Sequence, residues 1–302
     1  MYHYWGFGLN IASELEFPEL LPALFDHEDV TITIGDIPEE FLKLNTTPKD
    51  FEFLINDQEY FLDIKNVCKY YVKGGKKISI EPYPGIESRN ARIFLLATIM
   101  AVVLLQRGSM PLHASGIIKD NKLILFTGDS GAGKSTTLAY LVSKGYRIFT
   151  DDVCVLQTDP VNEQIIQGIA SYPMLKLWDD AILKLENDSF SDKSFRVKPE
   201  LDKYGYFFHD TFLKEPFPID KIFILKKSTG INKVSSKKLS GIEAFQQLEK
   251  QAYRKYLITN QVLRTLHFKA ISILSRNAAI IQISRPVNGT IEQLIETMET
   301  LF

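Results

Sequence analysis

Over the first eighty residues apolar and polar positions alternate in short runs, the period expected of half-buried strands. FEFLINDQEYFLDI (51–64) predicts a hairpin turning at Asn56–Asp57. CKYYVKGGKKISIEPY (68–83) predicts a second, with Gly74–Gly75 at a turn that needs positive φ. EFPELLPALF (16–25) predicts a short turn of helix. Pro82, Pro84 and Gly85 break the pattern. The thirteen-residue run IFLLATIMAVVLL, Ile93 to Leu105, then reads as a core helix. It is bracketed by Arg92 and Arg107 and is shorter than the roughly 20 residues that span a bilayer.

From Met110 strand and helix periods interleave. PLHASGIIKDNKLILFTG predicts two strands joined at Asp120–Asn121, followed by a helix from Thr136 to Lys144 that Gly145 caps. YRIFTDDVCVL reads as one strand and IIQGIASYPMLKLW as a hairpin-like stretch. Residues 187–203 mix charge, serine and aromatics and predict a mobile loop. DKIFILKK and AAIIQISRP read as strands. Helices are predicted after Ser240, which stands at capping-box spacing from Glu243, over 261–274, and in TIEQLIETMETLF. The expected architecture is α/β: a small β-rich domain over 1–85 and a nucleotide-binding α/β domain over 86–302.

Composition adds exclusions. The chain has 302 residues, 45% hydrophobic and 24% charged, with a net charge of −2. This is globular composition without the basic surplus of a nucleic-acid binder. Cys68 and Cys154 are too few for a disulfide framework or a zinc site of their own. No signal peptide or membrane span is recognised, so a cytoplasmic protein is expected.

The chemistry centres on GDSGAGKS. Gly128, Gly133, Lys134 and Ser135 satisfy G-x-x-x-x-G-K-[ST] between a predicted strand and a predicted helix. Gly128, Asp129, Ser130, Gly131, Ala132 and Gly133 would turn backbone N–H groups around phosphate oxygens, helped by the helix N-terminus. Lys134 would reach the outer phosphates, and Ser135, followed by Thr136, would offer a hydroxyl to Mg²⁺. Only fifteen residues after Ser135 come Asp151 and Asp152. Their strand should run parallel to LILFTG, bringing both strand ends to one edge. Neighbours on a strand face opposite sides, so two carboxylates can do two jobs if the strand bends: one holding Mg²⁺, one accepting a proton from an attacking hydroxyl. A magnesium aspartate beside a solvated strand end is the alternative. His113, on the preceding strand, is either a core histidine or a neighbour of the γ-phosphate.

LHASG, GDSGAGKS and GYRIFTDD together resemble the C-terminal catalytic domain of the HPr kinase/phosphorylase family over residues 110 to 160. YPMLKLW and ISRPVNGTIEQLI are similar to a branch of HPr-kinase-related proteins. YHYWGFGLNIASELEFPEL resembles the opening of kinases found with lasso-peptide biosynthesis. The resemblance implies an HPr-kinase-like P-loop core using ATP and Mg²⁺ to phosphorylate a serine hydroxyl of a peptide or protein, in that branch the C-terminal serine of a lasso-peptide precursor. By position it implies Asp151 as the base, Ser135 and Asp152 as the magnesium residues, and His113 and Lys134 at the reacting phosphate, with the division of labour between the two aspartates left open. Arg196 and Lys198 either play the part of the basic loop that reaches the carrier kinase's active site or are ordinary basic residues of a surface loop. The signature of its reverse, phosphorylase reaction has no counterpart. Tyr204, Tyr206 and Phe207 are candidates to face an acceptor peptide. Two other readings stand beside this one: a kinase of a small hydroxylated metabolite such as free serine, and a nucleotide-dependent switch with slow ATPase activity. ATP against GTP and a homo-oligomeric state are left open.

Overall fold

The alternating N-terminal runs are strands. The computed structural model describes every residue except 43–50, 57, 186 and 199. The chain divides into two units: Met1–Ser109 with Tyr256–Arg264, and Met110–Lys255 with Thr265–Phe302.

In the first unit β1 (Tyr2–Gly6), β2 (Leu9–Ser13), β3 (Leu21–Pro22), β4 (Val30–Ile34), β5 (Phe51–Ile55), β6 (Glu59–Ile64), β7 (Cys68–Lys73) and β8 (Lys77–Pro82) form one sheet, with a short α1 (Glu39–Leu42) between β4 and β5. The strand order is β3-β1-β2-β4-β8-β7-β6-β5. β4 runs parallel to both its neighbours, and the two predicted hairpins, β5–β6 and β7–β8, are present. Gly74 and Gly75 take φ of 60° and 64° in the three-residue loop between the paired Lys73 and Lys77, left-handed positions that favour glycine. Asp57, in the other predicted turn, lies outside the described residues. EFPELLPALF is not helical. Pro18 and Pro22 remove backbone donors that a helical turn would need, and Leu21–Pro22 pairs with β1 instead.

The apolar helix starts earlier than the hydrophobic run does. α2 (Ser88–Phe94), a π-helical turn (Leu95–Ile99) and α3 (Met100–Gln106) make one helical run of 19 residues, long and apolar enough by composition to cross a membrane. Leu95, Ile99 and Val103 are buried in the core of the first unit. The Tyr70 hydroxyl donates to Ala91 O (3.0 Å) and Gly75 N donates to Gln106 Oε1 (2.6 Å), fastening both ends of the run to the sheet. Arg92 Nε meets Glu19 at 2.9 Å in a buried ion pair. This helix belongs to the first unit, whereas the sequence reading starts the second domain at residue 86.

The second unit begins with β9 (Met110–Leu112), β10 (Ala114–Lys119), β11 (Lys122–Thr127), α4 (Lys134–Ser143), β12 (Arg147–Thr150), β13 (Cys154–Thr158) and β14 (Ile166–Ala170). It continues through β15 (Met174–Trp178), α5 (Asp179–Leu185), β16 (Arg196–Lys198), β17 (Leu201–Phe207), β18 (Phe217–Ser228), β19 (Ser235–Leu239) and α6 (Gly241–Glu249). α7 (Gln261–Asn277) from Thr265 on, β20 (Ala279–Pro286) and α8 (Ile291–Glu299) complete it. The main sheet runs β12-β10-β11-β18-β20-β19, with β11, β18 and β20 parallel. β12 is antiparallel to β10, and β10 to β11, so β12 has the direction of β11 as expected, with β10 between them. β9, β13 and β14 form an antiparallel layer that joins the main sheet where β14 meets the start of β18. α4 and α8 pack on the main sheet through Phe126, Leu138, Leu141, Phe223, Ile283 and Leu294, and α5 packs against α4, β15 and β17.

Three local expectations change. IIQGIASYPMLKLW is not a hairpin: β14 pairs with β13, while β15 pairs with β17 in a separate small sheet, β15-β17-β16. Residues 187–203, expected as a mobile loop, contribute a 3-10 turn, β16 and the start of β17. α6 starts after Ser240 as expected, but the Ser240 side chain makes no capping hydrogen bond, and Glu243 pairs with Lys237 at 2.6 Å.

Two strands that read as continuous break where their chemistry lies. PLHASGII changes sheets at His113, between β9 on β13 and β10 on β11. RIFTDDVCVL changes sheets at Asp151–Val153, between β12 on β10 and β13 on β9. Both crossings fall on the seam between the two layers.

Candidate active site

The parallel strand β11 ends in the glycine loop and feeds α4, so the loop stands at the carboxyl edge of the parallel strands, where open α/β sheets bind ligands. Gly128 has φ 142°, and a Cβ there would lie 2.4 Å from Leu225 O, so only glycine lets the loop leave the sheet against β18. Gln251 buttresses this exit: its Oε1 accepts from Thr127 Oγ1 (2.9 Å) and Gly128 N (3.1 Å). Lys134 Nζ is buried and donates to Gly128 O (2.8 Å) and Asp129 O (3.3 Å). Burial pulls its pKa below the ordinary lysine value against the opposing pull of Asp152 and Asp151.

A cavity of about 820 Å³ opens over the loop. His113, Lys134, Ser135, Asp152, Lys203 and Arg285 line it, with Ser130, Gly131, Gly133 and Thr136. The side chain of Asp129 is exposed, and Gly128 and Ala132 turn carbonyls to Lys134 and Arg285.

The two aspartates diverge. Asp151 is 1% exposed and does not reach the cavity. Its Oδ1 accepts from Ser115 Oγ (2.7 Å) and Ser135 Oγ (2.9 Å), and its Oδ2 from Lys176 N (3.0 Å). Asp152 takes φ 72°, a left-handed conformation that aspartate tolerates better than most residues, and this swings its carboxylate into the cavity. There Oδ2 accepts from Lys176 Nζ at 2.7 Å and Oδ1 lies 3.6 Å from His113 Nε2. Burial opposes its ionisation, but the Lys176 charge and hydrogen bond outweigh burial and hold its pKa well below the carboxylate range. His113 is pushed toward the neutral form by burial first and the Lys134 charge second. Its ring sits edge-on to Tyr253 at 5.7 Å, and His113 N donates to Gln251 O (2.9 Å).

Lys176 was not singled out from the sequence. Its signal was a lone lysine between Leu175 and Leu177, both buried in the core, which puts it on the opposite face of β15. It touches both acids: the main chain holds Asp151 and the ammonium holds Asp152. The ammonium also donates to Tyr172 OH (3.0 Å). Burial lowers its pKa, but Asp152 more than reverses this. Lys203, across the β15–β17 ladder from Trp178, carries its ammonium over the Trp178 ring at 5.3 Å. Burial and then the Lys176 charge lower its pKa. Of the two readings left open for Arg196 and Lys198, the surface one fits: Arg196 pairs with Asp202 and Lys198 with Glu200, and neither lines the cavity. Tyr204 is buried in the core and the Tyr206 hydroxyl donates to Phe190 O, so neither faces the cavity. Phe207 is exposed but does not line the cavity either.

Among the described residues no cluster of three or more His, Cys, Asp or Glu side chains could hold a metal alone. The Ser135 hydroxyl against the Asp151 carboxylate is nevertheless a donor set that suits Mg²⁺, an ion that usually takes one or two protein ligands and the rest from phosphates and water.

The sequence matches no protein-family model and no curated protein. Among solved structures the chain is similar to the Hpr(Ser) kinase/phosphatase from Coxiella burnetii, at 14% identity over 63% of this chain and 94% of that one, with a TM-score of 0.33. A likeness that small leaves the function to be read from the site.

Proposed function

We propose that this protein is an ATP-dependent phosphotransferase that passes the γ-phosphoryl group to a serine hydroxyl of a peptide or protein. The observation that carries the reading is the split pair: Asp151 is buried against Ser135, which lines the glycine-loop cavity, while Asp152 is turned into that cavity beside a neutral histidine. In this reading the loop N–H groups and Lys134 hold the triphosphate, and Ser135 backed by Asp151 serves Mg²⁺, which would neutralise charge on the phosphates. Asp152 orients the acceptor hydroxyl and takes its proton as the hydroxyl oxygen bonds to the γ-phosphorus and the bond to ADP breaks. The roles that the family resemblance implies for the two aspartates are thereby exchanged. A strongly ionised carboxylate is a weak base, but phosphoryl transfer asks chiefly for positioning, with the proton moving late. His113, held neutral, can accept a hydrogen bond beside it.

The rim favours a polypeptide acceptor. Trp178, 47% exposed, stands beside Lys203 on the small sheet, offering an aromatic and a cation to an extended chain. The HPr-kinase-like assignment and a lasso-precursor acceptor belong to this proposal. The test is incubation with γ-labelled ATP, Mg²⁺ and, in parallel, serine-bearing peptides (one ending in serine), free serine, or no acceptor. Label in a peptide supports the reading, label in free serine moves it to a metabolite kinase, and label only in inorganic phosphate with every acceptor replaces it with a slow ATPase switch.

A further inference from the structure

Arg285 is the last residue but one of β20, the third of the parallel strands whose carboxyl ends meet at the glycine loop. Its guanidinium lies on the loop: a Cβ on Gly133 would come within 3.3 Å of Nη2. Its protein contacts are poor. Nη2 is 3.4 Å from Ala132 O, Nη1 is 3.4 Å from Gly289 O, and the buried Nε has no acceptor. Among the described residues no carboxylate comes within ion-pair reach of it, and its pKa is lowered by burial with nothing to oppose. A guanidinium is an always-charged planar fork that matches phosphate oxygens, and half-burying one against carbonyls alone leaves most of its donors unused. Lys227, its register partner on β18, lines the same cavity. This edge therefore gathers a second pair of cations over the loop, apart from Lys134.

We infer that Arg285 is a phosphate-binding residue that grips the nucleotide's phosphate chain from the Ala132–Gly133 side of the loop, while Lys134 approaches from the Gly128–Asp129 side. This rests on the nucleotide-binding part of the reading above. Calorimetric titration of the full chain with ATP and with ADP, each with excess Mg²⁺, compares the wild type with Arg285→Gln and Arg285→Lys, and ligand-free melting of each variant is recorded alongside. The expected result is ATP binding weakened at least about ten-fold in R285Q and partly restored in R285K, which keeps the charge but not the fork. The ligand-free melting temperature of R285Q should be no lower than the wild type's, because an unmatched cation has been removed. A residue that merely props the loop would lower it. ATP affinity within about two-fold of wild type in R285Q overturns the inference alone. Should R285Q not fold, the lysine variant decides, with wild-type affinity overturning the inference. A wild-type chain that binds no ATP overturns both this and the phosphotransferase reading.

Discussion

Replacing Lys176 with methionine tests how the acidic pair is held. The substitution keeps the length of the side chain and removes its charge. Asp152 then loses its 2.7 Å partner and is left with His113, which burial keeps neutral, at 3.6 Å, and the more remote charges of Lys203 and Lys134. Lys176 is 13% and Asp152 28% exposed. Breaking a pair this buried from one side strands a charge, and with a quarter of the carboxylate still wet the cost should be about 2–4 kcal/mol. For a unit of this size that is a fall in Tm of roughly 5–15 °C by calorimetry or circular dichroism at pH 7.5. The sign with pH follows from the two pKa directions. In the wild type the depressed Asp152 pKa contributes stability above the ordinary carboxylate value of 3.8, lost as pH falls through the lower folded value. Lys176, raised above 10.5, contributes at all pH values below that. In K176M the stranded carboxylate should take up a proton well above 3.8, so the deficit against wild type should shrink as pH falls toward 5. Adding Asp152→Asn should recover much of the loss, because a neutral pair leaves no charge to strand. A K176M deficit under about 1 kcal/mol, or a double variant no more stable than K176M, would refute a buried and energetically coupled pair.

Other outcomes follow from the same geometry. Asp152→Asn should lower phosphoryl transfer about 10²–10⁴-fold while ATP affinity in calorimetry stays near wild type, whereas Lys134→Ala should remove both. Gly128→Ala would drive its Cβ to 2.4 Å from Leu225 O at φ 142°, and about 2–4 kcal/mol of stability should be lost in denaturant titration. His113 and His267 both have pKa values lowered by burial, so wild-type stability should decline as pH falls below 6.5, where the unfolded histidines take up protons first. The double variant H113Q/H267Q should flatten that decline in melting curves taken from pH 7 to 5.

Much of the site was legible because its signals are local. The G-x-x-x-x-G-K-[ST] spacing between a strand and a helix places Lys134 and Ser135 where they are found, since a glycine-rich exit from a strand leaves a helix N-terminus few places to go. The turns at Asp120–Asn121 and Gly74–Gly75 were legible for the same reason: left-handed φ limits which residues can stand there. Less visible were partners that meet only through long-range pairing. Lys176 reaches Asp152 from β15, Gln251 reaches Gly128 from more than a hundred residues away, and Arg285 comes over the loop from the last strand. None of them carries a local mark of its role: Lys176 and Arg285 stand beside apolar runs, and Gln251 sits in the charged stretch EKQAYRK.

The acidic pair shows the division most directly. By itself the sequence determined that two carboxylates follow a phosphate-type loop on the next strand, because residue type, spacing and strand period are properties of a short segment. Which acid backs Ser135 and which enters the cavity was decided only by tertiary structure. The chain leaves one sheet and joins another at Asp151–Val153, and the left-handed turn at Asp152 that makes this change redirects its side chain. A break of that kind is set by hydrogen bonding to β9 and β10, strands some forty residues earlier in the chain, and period-two alternation around the aspartates carries no trace of it.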